Sequence, residues 1–205
     1  PSLPPLVMLP SVKANSIVAF DARFAAVMAG LGLDQCKGYV TALSGGPDST
    51  ALTLLTQRYA NVTGKHHHAV IVDHGLREGS GDEAERVQTR LRRFGIGSDI
   101  IQITEPRPTA GSQEWARINR HHALLAVARQ KKAALLFAHH ASDQAETVAM
   151  RLLKSSGLNG LGGIACHRLQ HDVVVARPVL GWMPDQLKSV CHHLDCDFEL
   201  DPSNQ

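Results

Sequence analysis

Aromatic side chains are scarce, at 4% of 205 residues. Cysteine is scarcer still. The four present, Cys36, Cys166, Cys191 and Cys196, are too few and too scattered for a disulfide scaffold and suit a reducing cytoplasm. No apolar run approaches the roughly 20 residues a membrane helix needs, so no membrane attachment is expected. The opening stretch, residues 1–10, is apolar but broken by four prolines and has no basic flank, which argues against a signal peptide. Neither sign of charge dominates. A net charge of +2 does not by itself announce a nucleic-acid binder. The local basic clusters (Arg90, Arg92 and Arg93; Arg117 and Arg120; Arg129, Lys131 and Lys132) read on charge alone as solvated helix faces. What is present is ordinary. A hydrophobic share of 43% excludes wholesale disorder, and 17 glycines with 10 prolines exclude collagen-like and low-complexity classes. The length suits one ample domain.

Along the chain, Ile17, Phe20, Phe24, Val27, Met28 and Leu31 recur at helical spacing and predict an amphipathic helix over 16–31. An alternation follows. Strands are expected at 39–43, 69–72, 100–103, 134–138 and 173–176, with a short final one at 198–200. Helices are expected at 48–59, 82–94, 113–131, 143–153 and 184–194. Apolar strands alternating with long helices predict an α/β fold, a doubly wound, mostly parallel sheet with helices on both faces. Residues 1–35 read as an N-terminal segment whose helix packs on the domain, and 36–205 as the nucleotide-binding domain. The glycine-rich stretch 155–163 is the main loop. A ligand is expected beyond the carboxyl ends of the strands, where strand order switches.

The sharpest motif is Ser44-Gly45-Gly46-Pro47-Asp48-Ser49-Thr50, set between the first strand and the next helix. Two adjacent glycines let backbone N–H groups approach an anion, and the helix N-terminus adds positive potential. Ser44, Ser49 and Thr50 add hydroxyls. Asp48 would repel a bare phosphate but makes sense beside Mg²⁺. The plainer alternative is a turn with Asp48 or Ser49 as the helix cap. The spacing is not that of a Walker A loop, and its lysine is missing.

At the second strand end, Val72-Asp73-His74-Gly75-Leu76-Arg77 places polar groups on the expected crevice, or simply forms an exit turn. At the fourth, Ala138-His139-His140-Ala141-Ser142-Asp143-Gln144-Ala145-Glu146-Thr147 opens a helix. Asp143 and Glu146 lie on one helical face. Such a pair either stabilises the helix dipole or holds an ammonium group. The spacing does not match a zinc helix.

The Ser-Gly-Gly-x-Asp-Ser motif resembles the PP-loop of N-type ATP pyrophosphatases, which cleave ATP between the α and β phosphates and form adenylates. Taken with VDHGLR, HHASDQAET, Glu114-Trp115-Ala116-Arg117 followed by Arg120, the glycine-rich Ser156 to Gly163, Arg177-Pro178-Val179-Leu180 and Asp201-Pro202-Ser203-Asn204, the chain closely resembles the tRNA(Ile)-lysidine synthetase family from about residue 39 onward. That resemblance implies an enzyme. It would use ATP and Mg²⁺ to adenylate the wobble cytidine of tRNA(Ile) with a CAU anticodon, then join free L-lysine at C2 with loss of AMP. It implies ATP on Ser44, Gly45, Gly46, Pro47, Asp48, Ser49, Thr50, Asp73 and His74, with Mg²⁺ at Asp48. It implies lysine on Asp143, Glu146 and Arg177, and catalytic roles for Asp48, Arg117, Arg120, His139, Asp143 and Glu146. No stable protein partner is expected, and a homodimer is left open. Where the family often has Asp-Asp, this chain has Ser142-Asp143. Many members continue past Asp-Pro-Ser-Asn into domains that grip tRNA, and those are expected to be absent here.

Two other readings belong to the same fold. A tRNA-thiolating enzyme would need cysteine pairs, and the sequence has no Cys-x-x-Cys. A non-catalytic nucleotide sensor would need neither Asp48 nor the Asp143–Glu146 pair. Cys191-His192-His193-Leu194-Asp195-Cys196 reads as a helix end rather than a metal site, His66-His67-His68 as residues preceding a strand, and Trp115 as helix–sheet packing.

Overall fold

The computed structural model describes residues 16–75, 79–106, 108–153 and 163–199. The chain begins with helix α1 (Ile17–Gly30), capped by the Ser16 hydroxyl, which accepts the Ala19 N–H at 3.3 Å. There follow β1 (Gly38–Leu43), α2 (Pro47–Thr63), β2 (His66–Asp73), α3 (Ser80–Arg92), β3 (Ser98–Gln102) and α4 (Ser112–Gln130). The remainder is β4 (Ala134–Leu136), α5 (Ala141–Leu153), β5 (His167–Gln170), β6 (Val173–Ala176) and α6 (Pro184–His193).

The strands form one sheet in the order β3-β2-β1-β4-β6-β5. All neighbours pair in parallel except β5 with β6. Alternation along the strands sorts the core onto two faces. Tyr39, Ala69, Ile71, Ala134 and Leu136 pack with α1, α2, α3 and α6. Val40, Val70, Leu135 and Val175 face α4, through Leu124, Leu125 and Ala128. This is the doubly wound fold expected from the alternation. α1 belongs to the first face, where Phe20, Phe24 and Met28 are buried and Arg58 grips Asp21 across to α2. Among the described residues no helix is long and apolar enough to cross a membrane.

Three differences from the sequence reading have physical causes. The hairpin β5–β6 turns on His171 and Asp172, both at positive φ (46° and 64°). Such turns favour Asn-Gly or Asp-Gly, and His-Asp gives no such signal. The three histidines lie inside β2 rather than before it. His67 is held there by Gln57 and Thr41, and His68 by Asp99. Phe198 and Glu199 form no strand, for Glu199 spends its N–H on the carbonyl of Gly45. The expected glycine-rich loop, except for Gly163, lies outside the described residues, as do Leu76, Arg77 and 200–205.

The winding direction reverses at β1, which has β2 on one side and β4 on the other. The crevice at that switch lies between the exits of β1 and β4.

Candidate active site

Two cavities open at these strand ends and share a wall. The first, about 520 Å³, is lined by Ser44, Gly46, Asp48 and Ser49 at one end and by Asp73, His74, Ser80 and Glu83 at the other, with Arg120, Phe137, His139, His140 and Asp143 along its side. The second, about 890 Å³, is lined by Arg117, Arg120, His121, Arg151, Arg168 and Arg177, with His139 and Phe137 again on the wall.

The loop between β1 and α2 is built from its own hydroxyls. Ser49 Oγ accepts the Ser44 N–H at 3.2 Å and donates to the Gly46 carbonyl at 3.1 Å, while the Ser44 hydroxyl lies 3.1 Å from it. Thr50 donates to the Gly45 carbonyl at 3.2 Å from a buried position. The two glycines serve different ends. Gly45 has φ +87°, and a Cβ there would meet Val87 at 2.9 Å and Glu199 at 3.3 Å. At Gly46 the nearest atom to a Cβ would be Ser44 Oγ at 3.8 Å, so this residue leaves space on the cavity side. Pro47 opens α2 at a position whose missing N–H costs nothing. Of the residues expected around ATP, Ser44, Gly46, Asp48, Ser49, Asp73 and His74 line the cavity, and Gly45, Pro47 and Thr50 stand behind it.

Asp48 sits in the first turn of α2. Burial raises its carboxyl pKa above the usual range, Asp143 adds to that, and His140 opposes it. Its Oδ1 is buried with no protein partner. An orphaned carboxylate oxygen beside an anion cradle fits a Mg²⁺ ion completed by phosphate oxygens and water. Among the described residues no cluster of three or more His, Cys, Asp or Glu side chains is arranged to hold a metal by itself.

His140 is the residue that sequence reasoning passed over. Its Nε2 lies 3.5 Å from Asp48 Oδ2 and its Nδ1 3.5 Å from Asp143 Oδ2. The Asp143 carboxylate also accepts the His140 backbone N–H at 2.8 Å, closing the turn into α5. The parity of adjacent residues was the available signal, since His139 and His140 face different neighbours. His139 instead meets Arg177, whose Nε donates to His139 Nδ1 at 3.2 Å. Burial lowers the His139 pKa, and Arg177 lowers it further. Arg177 is only 9% exposed and also donates to the Ala165 carbonyl at 3.0 Å. His74, whose pKa is likewise lowered by burial and by Arg120, stands edge-on to Trp115 at 6.5 Å. Trp115 thus contacts a cavity-lining ring.

The remaining expected residues are spread more widely. Asp48, Asp143, His139 and Arg120 meet at the first cavity, and His139, Arg120, Arg117 and Arg177 at the second. Arg117 is exposed and bound to Glu114. Glu146 is exposed on α5 and lines neither cavity. Arg168 was missed because β5 was missed.

The chain matches the PP-loop domain family over residues 18–205. It is 41% identical over 175 residues to the tRNA(Ile)-lysidine synthase of Methylobacterium nodulans, covering 85% of this chain and 51% of that protein. It is 38% identical over 167 residues to that of a Bradyrhizobium species, covering 80% and 47% respectively. The chain therefore spans about half the length of the curated relatives it matches. Among solved structures it is similar to a U34-tRNA thiolase from Methanococcus maripaludis with an iron–sulfur cluster. There the TM-score is 0.73 at 19% identity, covering 89% of this chain and 66% of that one, which bears on the fold alone.

Proposed function

The chain belongs to the PP-loop domain family, and from that premise we propose that it is the ATP-using domain of a tRNA(Ile)-lysidine synthase. Family membership implies ATP binding. The observation that carries the finer reading is the pairing of cavities. One has a phosphate cradle and an orphaned carboxylate, the other is ringed by arginines, and both share His139 and Arg120. A nucleotide in the first and an anionic polynucleotide in the second would meet at that wall.

In this reading the amides and hydroxyls of the 44–49 loop hold the phosphates of ATP. Asp48 holds Mg²⁺, which would supply charge neutralisation at those phosphates. Arg168 steers RNA phosphates or the cytidine toward the shared wall, and Arg177 receives the α-carboxylate of the lysine. O2 of the wobble cytidine attacks the α-phosphorus, and pyrophosphate leaves. The lysine Nε then attacks C2, and the C2–O bond breaks to release AMP. Arg120, at the wall, faces the charge that develops on the α-phosphate. Arg117 stands further out toward the RNA.

His139 takes no proton at Nδ1, because Arg177 already donates there. Its Nε2 therefore carries the hydrogen and acts as a donor. That leaves Asp143 and Glu146 for the lysine ammonium and its proton. Asp143 stands on the first cavity, and Glu146, one turn on along the same helix, is exposed and reaches the lysine from outside both cavities. Free L-lysine, tRNA(Ile), Mg²⁺, a cytoplasmic location and a catalytic domain spanning 36–205 belong to this one proposal. The thiolation alternative is disfavoured by the cysteines. All four are free thiols, and none lines either cavity. The test is whether AMP release from ATP requires both lysine and tRNA.

A further inference from the structure

Residues 196–199 leave α6 and cross behind the phosphate loop. Cys196 is buried and returns its N–H to the Cys191 carbonyl at 3.0 Å. Phe198 packs against the core and meets the ring of His192 at 5.8 Å. The next residue, Glu199, then donates its backbone N–H to the Gly45 carbonyl at 2.9 Å. Its side chain does not reach for the cavity. It is gripped from α3 by Arg90, with Nη2 to Oε1 at 2.7 Å, and both side chains are largely withdrawn from water. Gly45 is thus sandwiched between Val87 of α3 and Glu199, with no room for a Cβ.

We infer that Arg90 and Glu199 are positioning residues that aim the phosphate loop at its ligand. They act through one peptide plane. In a trans peptide the carbonyl of one residue and the N–H of the next point in opposite directions. The Gly45 carbonyl is pinned by Glu199 N–H and Thr50 Oγ, and neither of those residues lines the cavity. The Gly46 N–H is therefore turned the other way, toward the cavity that Gly46 lines. That amide is an anion donor only while the plane holds. A glycine at positive φ has little intrinsic preference for one orientation, so the strap and its Arg90 anchor supply it. Arg90 thereby ties α3, whose Ser80 and Glu83 line the far end of the cavity, to the loop at the near end.

This inference rests on the proposal that the 44–49 loop holds the phosphates of ATP. Its test compares two probes on the full 205-residue chain, MgATP and adenosine, by calorimetry, with thermal unfolding measured alongside. Glu199→Ala should weaken MgATP roughly ten-fold, the scale of one charge-assisted hydrogen bond misdirected, and leave adenosine affinity unchanged. Arg90→Ala should match it. The double variant should be no worse than either single one, because the two act as a unit. Glu199→Gln, which keeps a neutral hydrogen bond to Arg90, should fall between wild type and Glu199→Ala, and it decides the matter if the alanine variant does not fold. Unchanged MgATP affinity in these variants overturns the inference. So does a parallel loss of MgATP and adenosine binding that tracks a fall in melting temperature, which marks a merely structural contact. A wild-type chain that binds neither probe overturns the nucleotide reading itself, and this inference with it.

Discussion

Arg177 Nε donates to His139 Nδ1 across 3.2 Å, joining a nearly buried arginine on the β6 exit to a histidine on the β4 exit. The bond fixes the neutral tautomer with the hydrogen on Nε2. Ring-nitrogen NMR should therefore show His139 neutral and Nε2-protonated at pH 7. Arg177→Gln should raise the His139 pKa toward the ordinary 6.5 without fully restoring it, because burial is the larger cause of the depression. A pKa that falls in the variant would contradict the arrangement.

Asp48→Asn should abolish Mg²⁺-dependent ATP turnover and leave the melting temperature within a few degrees of wild type. The substitution removes a carboxylate charge, the proposed hold on Mg²⁺, from a helix start but no packing contact. Losing a carboxylate from such a site costs several kcal/mol of charge stabilisation. Turnover that persists with its Mg²⁺ requirement intact would show that the ion sits elsewhere.

Stability should fall as the solution is acidified below about neutrality, and His67 is one named cause. Its ring lies between Gln57 at 2.8 Å and Thr41 at 3.0 Å, and burial pushes its pKa down to about 3. Between that value and the unfolded 6.5 the unfolded chain binds more protons, so unfolding free energy rises with pH through this window and is flat above it. One such group contributes at most about 1.4 kcal/mol per pH unit. Denaturant titrations of His67→Gln between pH 5 and pH 7 should give a shallower slope. An equal or steeper slope would remove His67 from the account.

Glu146→Gln should weaken lysine use about ten-fold to a hundred-fold, the range of one charged hydrogen bond, and leave ATP affinity alone. Asp143→Asn should do the same to lysine and also loosen the start of α5, since it accepts the His140 N–H there. Apparent affinities for lysine and ATP separate the cases. If ATP affinity collapses in both variants while lysine affinity holds, the carboxylates serve the nucleotide or its metal.

The basic cavity predicts RNA binding that weakens steeply with salt. Replacing Arg168 with alanine should lower affinity and reduce the slope of log affinity against log salt by about one. Filter binding or anisotropy at several salt concentrations measures it. A slope untouched by Arg168→Ala would place the RNA on another surface.

How far the sequence carried depended on whether a feature was local. The strand–helix alternation and the turn at 44–46 between β1 and α2 are local patterns, and the structure follows them to within a few residues. α5 begins at Ala141, two residues before the expected start at 143. β5 escaped because its exposed residues lack a core signal and its turn, His171-Asp172, lacks a turn signature. With it went Arg168. His140 escaped because its role depends on Asp48, which is distant in sequence. Glu199 was read as strand, since only the fold shows that its N–H meets Gly45. Of the two glycines expected on the ligand side, Gly46 lines the cavity. Gly45 is small because of the wall behind it.

The central claim is that ATP cleavage here serves lysine transfer to tRNA. The most direct measurement incubates the chain with α-labelled ATP, Mg²⁺, labelled lysine and tRNA(Ile) bearing a CAU anticodon, and follows AMP and RNA-bound lysine together. The account predicts that AMP and RNA-bound lysine appear in equal amounts and that omitting lysine or the tRNA stops both. AMP release that proceeds without lysine, or RNA that gains AMP or sulfur but never lysine, would contradict it.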